Sequence, residues 1–145
     1  MPPEIPTPAQ EYYQLALELY RAKDYKVAKH CGEKAIALMP KNPQAYNNLG
    51  TILNEMGDHT GAIVCYKKAL ELKLEYPIPH NNLGATYYEL DSHITAIKHY
   101  LRAIELNPEY ALAYDGLGKV YDDIGMHDEA EECFKIAREL SETTT

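Results

Sequence analysis

Three cysteines and a histidine stand at one place in four successive blocks of this chain: Cys31, Cys65, His99 and Cys133, each 34 residues from the next. On paper a Cys/Cys/His/Cys set is a zinc site. Three more histidines, His59, His93 and His127, share a second place at the same interval, with Tyr25 preceding them. A third set is made of amides. Asn47-Asn48 and Asn81-Asn82 each precede Leu-Gly, and an asparagine side chain, carrying both a donor and an acceptor, can pair with a peptide backbone of any sequence. Which of these sets can act depends on the elements that hold them.

The interval belongs to the whole chain. Leu15, Leu49, Leu83 and Leu117 follow it, as do Ala28, Ala62, Ala96 and Ala130, and Ala35, Ala69, Ala103 and Ala137. Within each block, apolar residues recur at three- and four-residue steps, as Tyr12, Leu15, Ala16 and Leu19 do, which is the period of an amphipathic helix. The spacing predicts eight helices in four pairs: about 9–22 with 25–38, 43–56 with 59–73, 77–90 with 93–106, and 111–124 with 127–140. Asn42-Pro43 is a cap followed by a proline at the first helical position. Asp24, Asp58 and Ser92 stand where a side-chain oxygen can cap the second helices; Met126 cannot. Gly57 and Gly125 suit the turns within pairs, and Lys23 and Asp91 replace them at some strain.

This arrangement settles the thiols. Helices pack about 8–10 Å apart, so equivalent places in successive blocks are too distant for a shared zinc, whose sulfurs lie at about 2.3 Å. A disulfide, with Cα atoms within about 7 Å, is excluded too. No metal or other cofactor is expected, and the cysteines and the three later histidines are read as packing residues. The column Ala16, Gly50, Gly84, Gly118 lets helices approach closely. The aromatic columns Tyr12, Tyr46, His80, Tyr114 and Tyr66, Tyr100, Phe134 are core rather than a ligand box.

At this point the blocks resemble the tetratricopeptide repeat. Tyr46, Leu49-Gly50, Ala62, Tyr66 and Ala69 carry the likeness in the second block; Leu83-Gly84, Tyr87, Ala96, Tyr100, Ala103 and Pro108 in the third; Tyr114, Leu117-Gly118, Tyr121, Ala130, Phe134 and Ala137 in the fourth. The first diverges, with Ala16 for glycine and Gly32 for an aromatic, though Pro40 closes it. The resemblance implies an all-α, right-handed superhelical solenoid of four repeats (about 9–42, 43–76, 77–110 and 111–144, the domain being 9–142), with a proline-rich leader over 1–8 and a tail over 143–145. It also implies a concave groove, lined by the first helices, that takes a peptide or helix of a protein partner. The groove residues would include Gln14, Asn47, Asn48, Thr51, Asn81, Asn82, Tyr88, Lys119 and Asp122. Asn48 and Asn82, one repeat apart, resemble the asparagine ladder of the O-linked N-acetylglucosamine transferase superhelix; the alternative is a solvated helix position common in the family. The clamp that co-chaperones close on acidic chaperone tails is not expected: its basic places hold Tyr13, Ile78 and Asn82 or, one repeat on, Asn47, Leu112 and Gly116, and a carboxylate needs charge-assisted donors there. Asp115, Lys119, Asp122 and Asp123 would suit a basic segment, or form a solvated acidic face.

Composition narrows the partners. With 22 acidic and 14 basic residues and a net charge of −8, a general affinity for nucleic acid or anionic lipid is not expected. No apolar run approaches the roughly 18 residues of a membrane span, and residues 1–10 lack the features of a secretion signal. A soluble, cytoplasmic protein is expected. No catalytic motif is present, so no enzymatic role is expected. The final pair is followed by too little chain for another helix, and Val120, Ile124, Cys133, Ile136 and Leu140 are read as an outward edge for self-association.

Overall fold

The computed structural model describes residues 5–143. Among them are eight helices: α1 (Pro8–Arg21), α2 (Tyr25–Leu38), α3 (Pro43–Glu55), α4 (His59–Leu72), α5 (Pro77–Glu89), α6 (His93–Leu106), α7 (Ala111–Asp123) and α8 (His127–Thr143). They form four antiparallel pairs, and the chain divides between Leu74 and Glu75 into two compact units, α1–α4 and α5–α8. In unit 1, α1 packs on α2, α2 on α3 and α3 on α4, with a lighter contact of α1 on α3. Unit 2 repeats the scheme, with α7 resting on both α5 and α6.

The helix bounds follow the chain's punctuation. Residues 5–7 of the expected leader are non-helical, while residues 1–4 of it and 144–145 of the expected tail lie outside the described residues. Helix α1 starts at Pro8, one residue early, because Thr7 closes a capping box with Gln10: the Gln10 N–H donates to Thr7 Oγ1 at 3.3 Å, and the Thr7 N–H to Gln10 Oε1 at 2.8 Å. Asn42 accepts from Ala45 N at 3.1 Å, Asp24 from Val27 N at 3.4 Å and Asp58 from Gly61 N at 2.9 Å. Ser92 makes no such bond, so α6 starts without the side-chain cap the sequence offered. Helix α8 runs on to Thr143 rather than stopping at Leu140.

All four turns within pairs adopt one shape. Gly57 and Gly125 have φ of 83° and 86°, and Lys23 and Asp91, at 61° and 57°, follow the same left-handed path. A side chain there costs about 1–2 kcal/mol, so these two turns carry the expected strain.

Close approach is visible where the small column meets the rings. A Cβ on Gly50 would lie 2.6 Å from the Tyr66 ring, on Gly84 2.8 Å from Tyr100, and on Gly118 2.7 Å from Phe134. The two oddities of the first repeat explain one another. Ala16 can carry a methyl because its opposite number, Gly32, has no ring. Each unit then closes on its own apolar centre: Ala16, Ala28, Cys31 and Ile52 in unit 1, and Ala96, Tyr100, Ala103, Ala113, Leu117, Val120 and Cys133 in unit 2.

Candidate functional site

Cys31 and Cys133 belong to those centres. All three cysteines are free and buried, and burial, followed by the nearby carboxylates of Asp58 and Glu33, pushes the Cys65 thiol up to about 11. A thiol protonated at neutral pH is a poor nucleophile and a poor metal ligand. Among the described residues no three His, Cys, Asp or Glu side chains converge as metal ligands. Cys133 is 8% exposed and Val120 fully buried, because both face the centre of unit 2. Neither belongs to an outward edge, which corrects the expectation. Ile136 and Leu140 are half-buried and Ile124 is exposed.

The histidine column does more than pack. His59 Nδ1 lies 2.8 Å from Asn54 Oδ1 and His127 Nδ1 2.7 Å from Asp122 Oδ1. The same pair of places holds Tyr20 with Tyr25, ring centroids 5.7 Å apart, and Tyr88 with His93, at 6.0 Å. Each first helix is thus tied across its turn to the start of the second. Asp122, expected to face a partner, is engaged in this tie.

A further cluster escaped the sequence reading. His80 and His99 stand Nδ1 to Nδ1 at 3.2 Å, and His99 stacks on Tyr87 with the rings 8° from parallel. Burial, and then the charge of Arg102, lowers the pKa of His80 below the usual imidazole value. The signal was present: the other repeats put Tyr12, Tyr46 and Tyr114 where His80 stands, and Cys31, Cys65 and Cys133 where His99 stands.

The first-helix residues separate into kinds. Asn47 is 5% exposed, nearly as buried as Leu49 at 8%, which leaves it little surface to offer a partner. Thr51 donates to the Asn47 carbonyl at 3.1 Å and accepts from the Tyr66 hydroxyl at 3.4 Å. Asn48 is half-buried, Gln14 is exposed, and neither has a hydrogen-bond partner among the described residues. Beside Asn48, unit 1 holds a cavity of about 70 Å³ between α1 and α3, lined by Leu17, Tyr20, Asn48, Thr51 and Ile52.

In unit 2, Asn81 is partly buried with an unpartnered Oδ1, while Asn82 is half-buried and engaged. Tyr88 donates to Asp123 at 2.6 Å, which raises its pKa, burial and the charge of Asp123 adding to the effect. Lys119 pairs with Asp115 at 2.7 Å. The carboxylates of α7 are therefore each matched within the unit. Position 116 must be glycine, since any Cβ there would collide with the ring of Tyr100.

Beside α7 and α8 lies a depression of about 490 Å³ lined by Ala111, Leu112, Asp115, Phe134, Ala137 and Arg138 among others. Leu112 there is 67% exposed. Ile97 and Ile104 pack against the core of unit 2, whereas at the same register α8 carries Glu131 and Arg138; Asp115, Arg138 and Glu142 line the depression beside its apolar residues.

Comparison with known proteins bears on these surfaces. Family models described as TPR or tetratricopeptide repeat match residues 9–42, 31–64, 50–91 and 75–143. No curated protein sequence matches significantly. Among solved structures, the chain is similar to a crystal structure of MamA, with 26% identity, a TM-score of 0.82, and coverage of 94% of this chain and 80% of that one. The first TPR of Spaghetti (RPAP3), solved bound to the HSP90 peptide SRMEEVD, is similar in fold with a TM-score of 0.76 at 22% identity, covering 80% of this chain and 92% of that one. No described helix is long and apolar enough to cross a membrane.

Proposed function

Since the chain belongs to the tetratricopeptide repeat family, whose members are protein–protein interaction scaffolds, we propose that it is an adaptor holding a peptide or helix of a partner protein against its first helices. The observation that carries this reading is the state of Asn48 and Gln14: solvent-reachable amides with no hydrogen-bond partner among the described residues. Such groups remain hydrated until a partner supplies a donor and an acceptor. Asn82 on α5 holds the corresponding place in unit 2 and joins the proposal, whereas Asn47 does not. Asn82, Lys119 and Tyr88 are secondary contacts, because each would have to exchange an existing interaction for a new one.

The test is capture of partners by the intact chain, followed by mass spectrometry, repeated with Asn48→Ala and Asn82→Ala combined. Loss of a specific partner with unchanged helicity supports the first-helix surface; retention of every partner by a folded double variant refutes it.

A second reading rests on the depression beside α7 and α8. An apolar floor at Leu112 and Phe134, in place of the edge built on Cys133, suits association with another copy of the chain. Light scattering over a range of concentrations, with Leu112→Lys as control, decides it: a constant monomer mass rules self-association out. Either reading is compatible with service as the recognition arm of an enzyme assembled from other chains.

A further inference from the structure

Unit 1 holds a small cavity between α1 and α3. In unit 2 the Tyr100 ring lies against residue 116. Two repeats earlier the corresponding residues are Gly32 and Asn48. Asn48 thus stands where the later repeat has Gly116, and the space beside it, between α1 and α3, is open. The lining is apolar on Leu17 and Ile52, with the Thr51 hydroxyl already bonded on both sides. Among the lining residues this leaves Asn48 and Tyr20 to offer polar groups to an occupant.

Size and charge restrict that occupant. A void of about 150 Å³ accepts a benzene ring; one of about 70 Å³ takes a branched aliphatic side chain of three or four carbons and excludes aromatics. The charged residues on α1 and α3 are Glu11, Glu18 and Glu55 against Arg21, and Glu55 acts electrostatically on Tyr20 at the cavity wall. A cation beside the inserted side chain is therefore favoured and an anion disfavoured.

We propose that unit 1 carries a side-chain pocket for an extended peptide in which a valine-sized residue is followed by lysine or arginine, with the peptide main chain on Asn48. This rests on the adaptor reading and makes it specific: the main chain supplies affinity through the amide, and the pocket supplies selection.

The probe is a set of short fluorescein-labelled glycine–serine peptides with a central alanine, valine or phenylalanine, followed by two lysines or two glutamates, titrated against the intact chain by anisotropy. The valine–lysine peptide should bind roughly tenfold more tightly than its alanine counterpart, as expected for burying two methyl groups. The phenylalanine and glutamate versions should bind more weakly than valine–lysine. Leu17→Phe, which fills the cavity from a half-exposed position, should abolish the preference for valine, and Asn48→Ala should weaken all the lysine peptides alike. Equal binding of alanine, valine and phenylalanine, or a valine preference that survives Leu17→Phe, overturns the pocket; if Asn48→Ala still weakens those peptides, the adaptor reading stands without it. Failure of every peptide to bind also overturns the pocket, while partner capture that depends on Asn48 and Asn82 judges the adaptor reading separately.

Discussion

At the scale of single residues, this protein trades rings against hydrogens. Gly84 faces the Tyr100 ring so closely that a methyl group would stand 2.8 Å from it. Alanine is the better helix former by about 1 kcal/mol, yet overpacking costs about 1–3 kcal/mol, and the buried Tyr100 has little room to retreat. Gly84→Ala should therefore lower stability by up to about 2 kcal/mol, read from the urea midpoint at constant slope. Ala16 is the control. With Gly32 opposite, no ring limits it, so Ala16→Gly should cost only the helix-propensity difference of about 1 kcal/mol. A stabilising Gly84→Ala would mean that Tyr100 can swing aside, and the pairing of small residue with ring would lose its force.

At the scale of helices, the third repeat departs from the others by carrying His80 and His99 where tyrosine and cysteine stand elsewhere. Two Nδ1 atoms 3.2 Å apart can share a hydrogen only while one of them is unprotonated. The neighbouring charge, Arg102, is positive and itself ion-paired to Glu105 at 2.8 Å. Burial and then Arg102 depress the pKa of His80 below the ordinary imidazole value of 6.5. Well above 6.5 His80 is neutral whether folded or unfolded and contributes no pH dependence. As the pH falls below 6.5 the unfolded chain takes up a proton that the folded one resists, so stability declines until the lowered folded pKa is reached. Melting curves between pH 7.5 and 5 should show this decline. His80→Tyr, which restores the residue of the other repeats, should reduce it; an unchanged slope would place the responsible group elsewhere. The sequence displayed both histidines but not their meeting. Their columns lie on different helices, and the 34-residue period says only which residues are equivalent, not which ones touch.

At the scale of the whole molecule, the period made the eight helices legible to within a residue or so at nearly every end, because apolar spacing, caps and turn glycines are local signals. What it left illegible was the depth of each side chain. Asn47 and Asn48 are neighbours of one residue type, yet one is buried and the other available, and Cys133 turns inward although it closes the last repeat. The division into two units after Leu74 was equally invisible, since the period runs through it without a break. Charge, by contrast, is read from composition and reaches beyond any one site. A chain of net charge −8, with tyrosine, isoleucine and asparagine where the family resemblance would put the basic residues of a carboxylate clamp, is expected to repel an acidic tail over distances up to a Debye length of about 10 Å at 0.1 M salt. Sharing a fold with a repeat domain solved with SRMEEVD does not offset that repulsion. Titration of this peptide should therefore give no saturable binding up to about 1 mM, a level worth only about −4 kcal/mol. Tyr13→Lys combined with Ile78→Lys should recover some affinity, and that gain should fade as salt rises. Submillimolar binding by the unaltered chain would show that neutral side chains suffice to hold the carboxylates, and the argument from charge would fail.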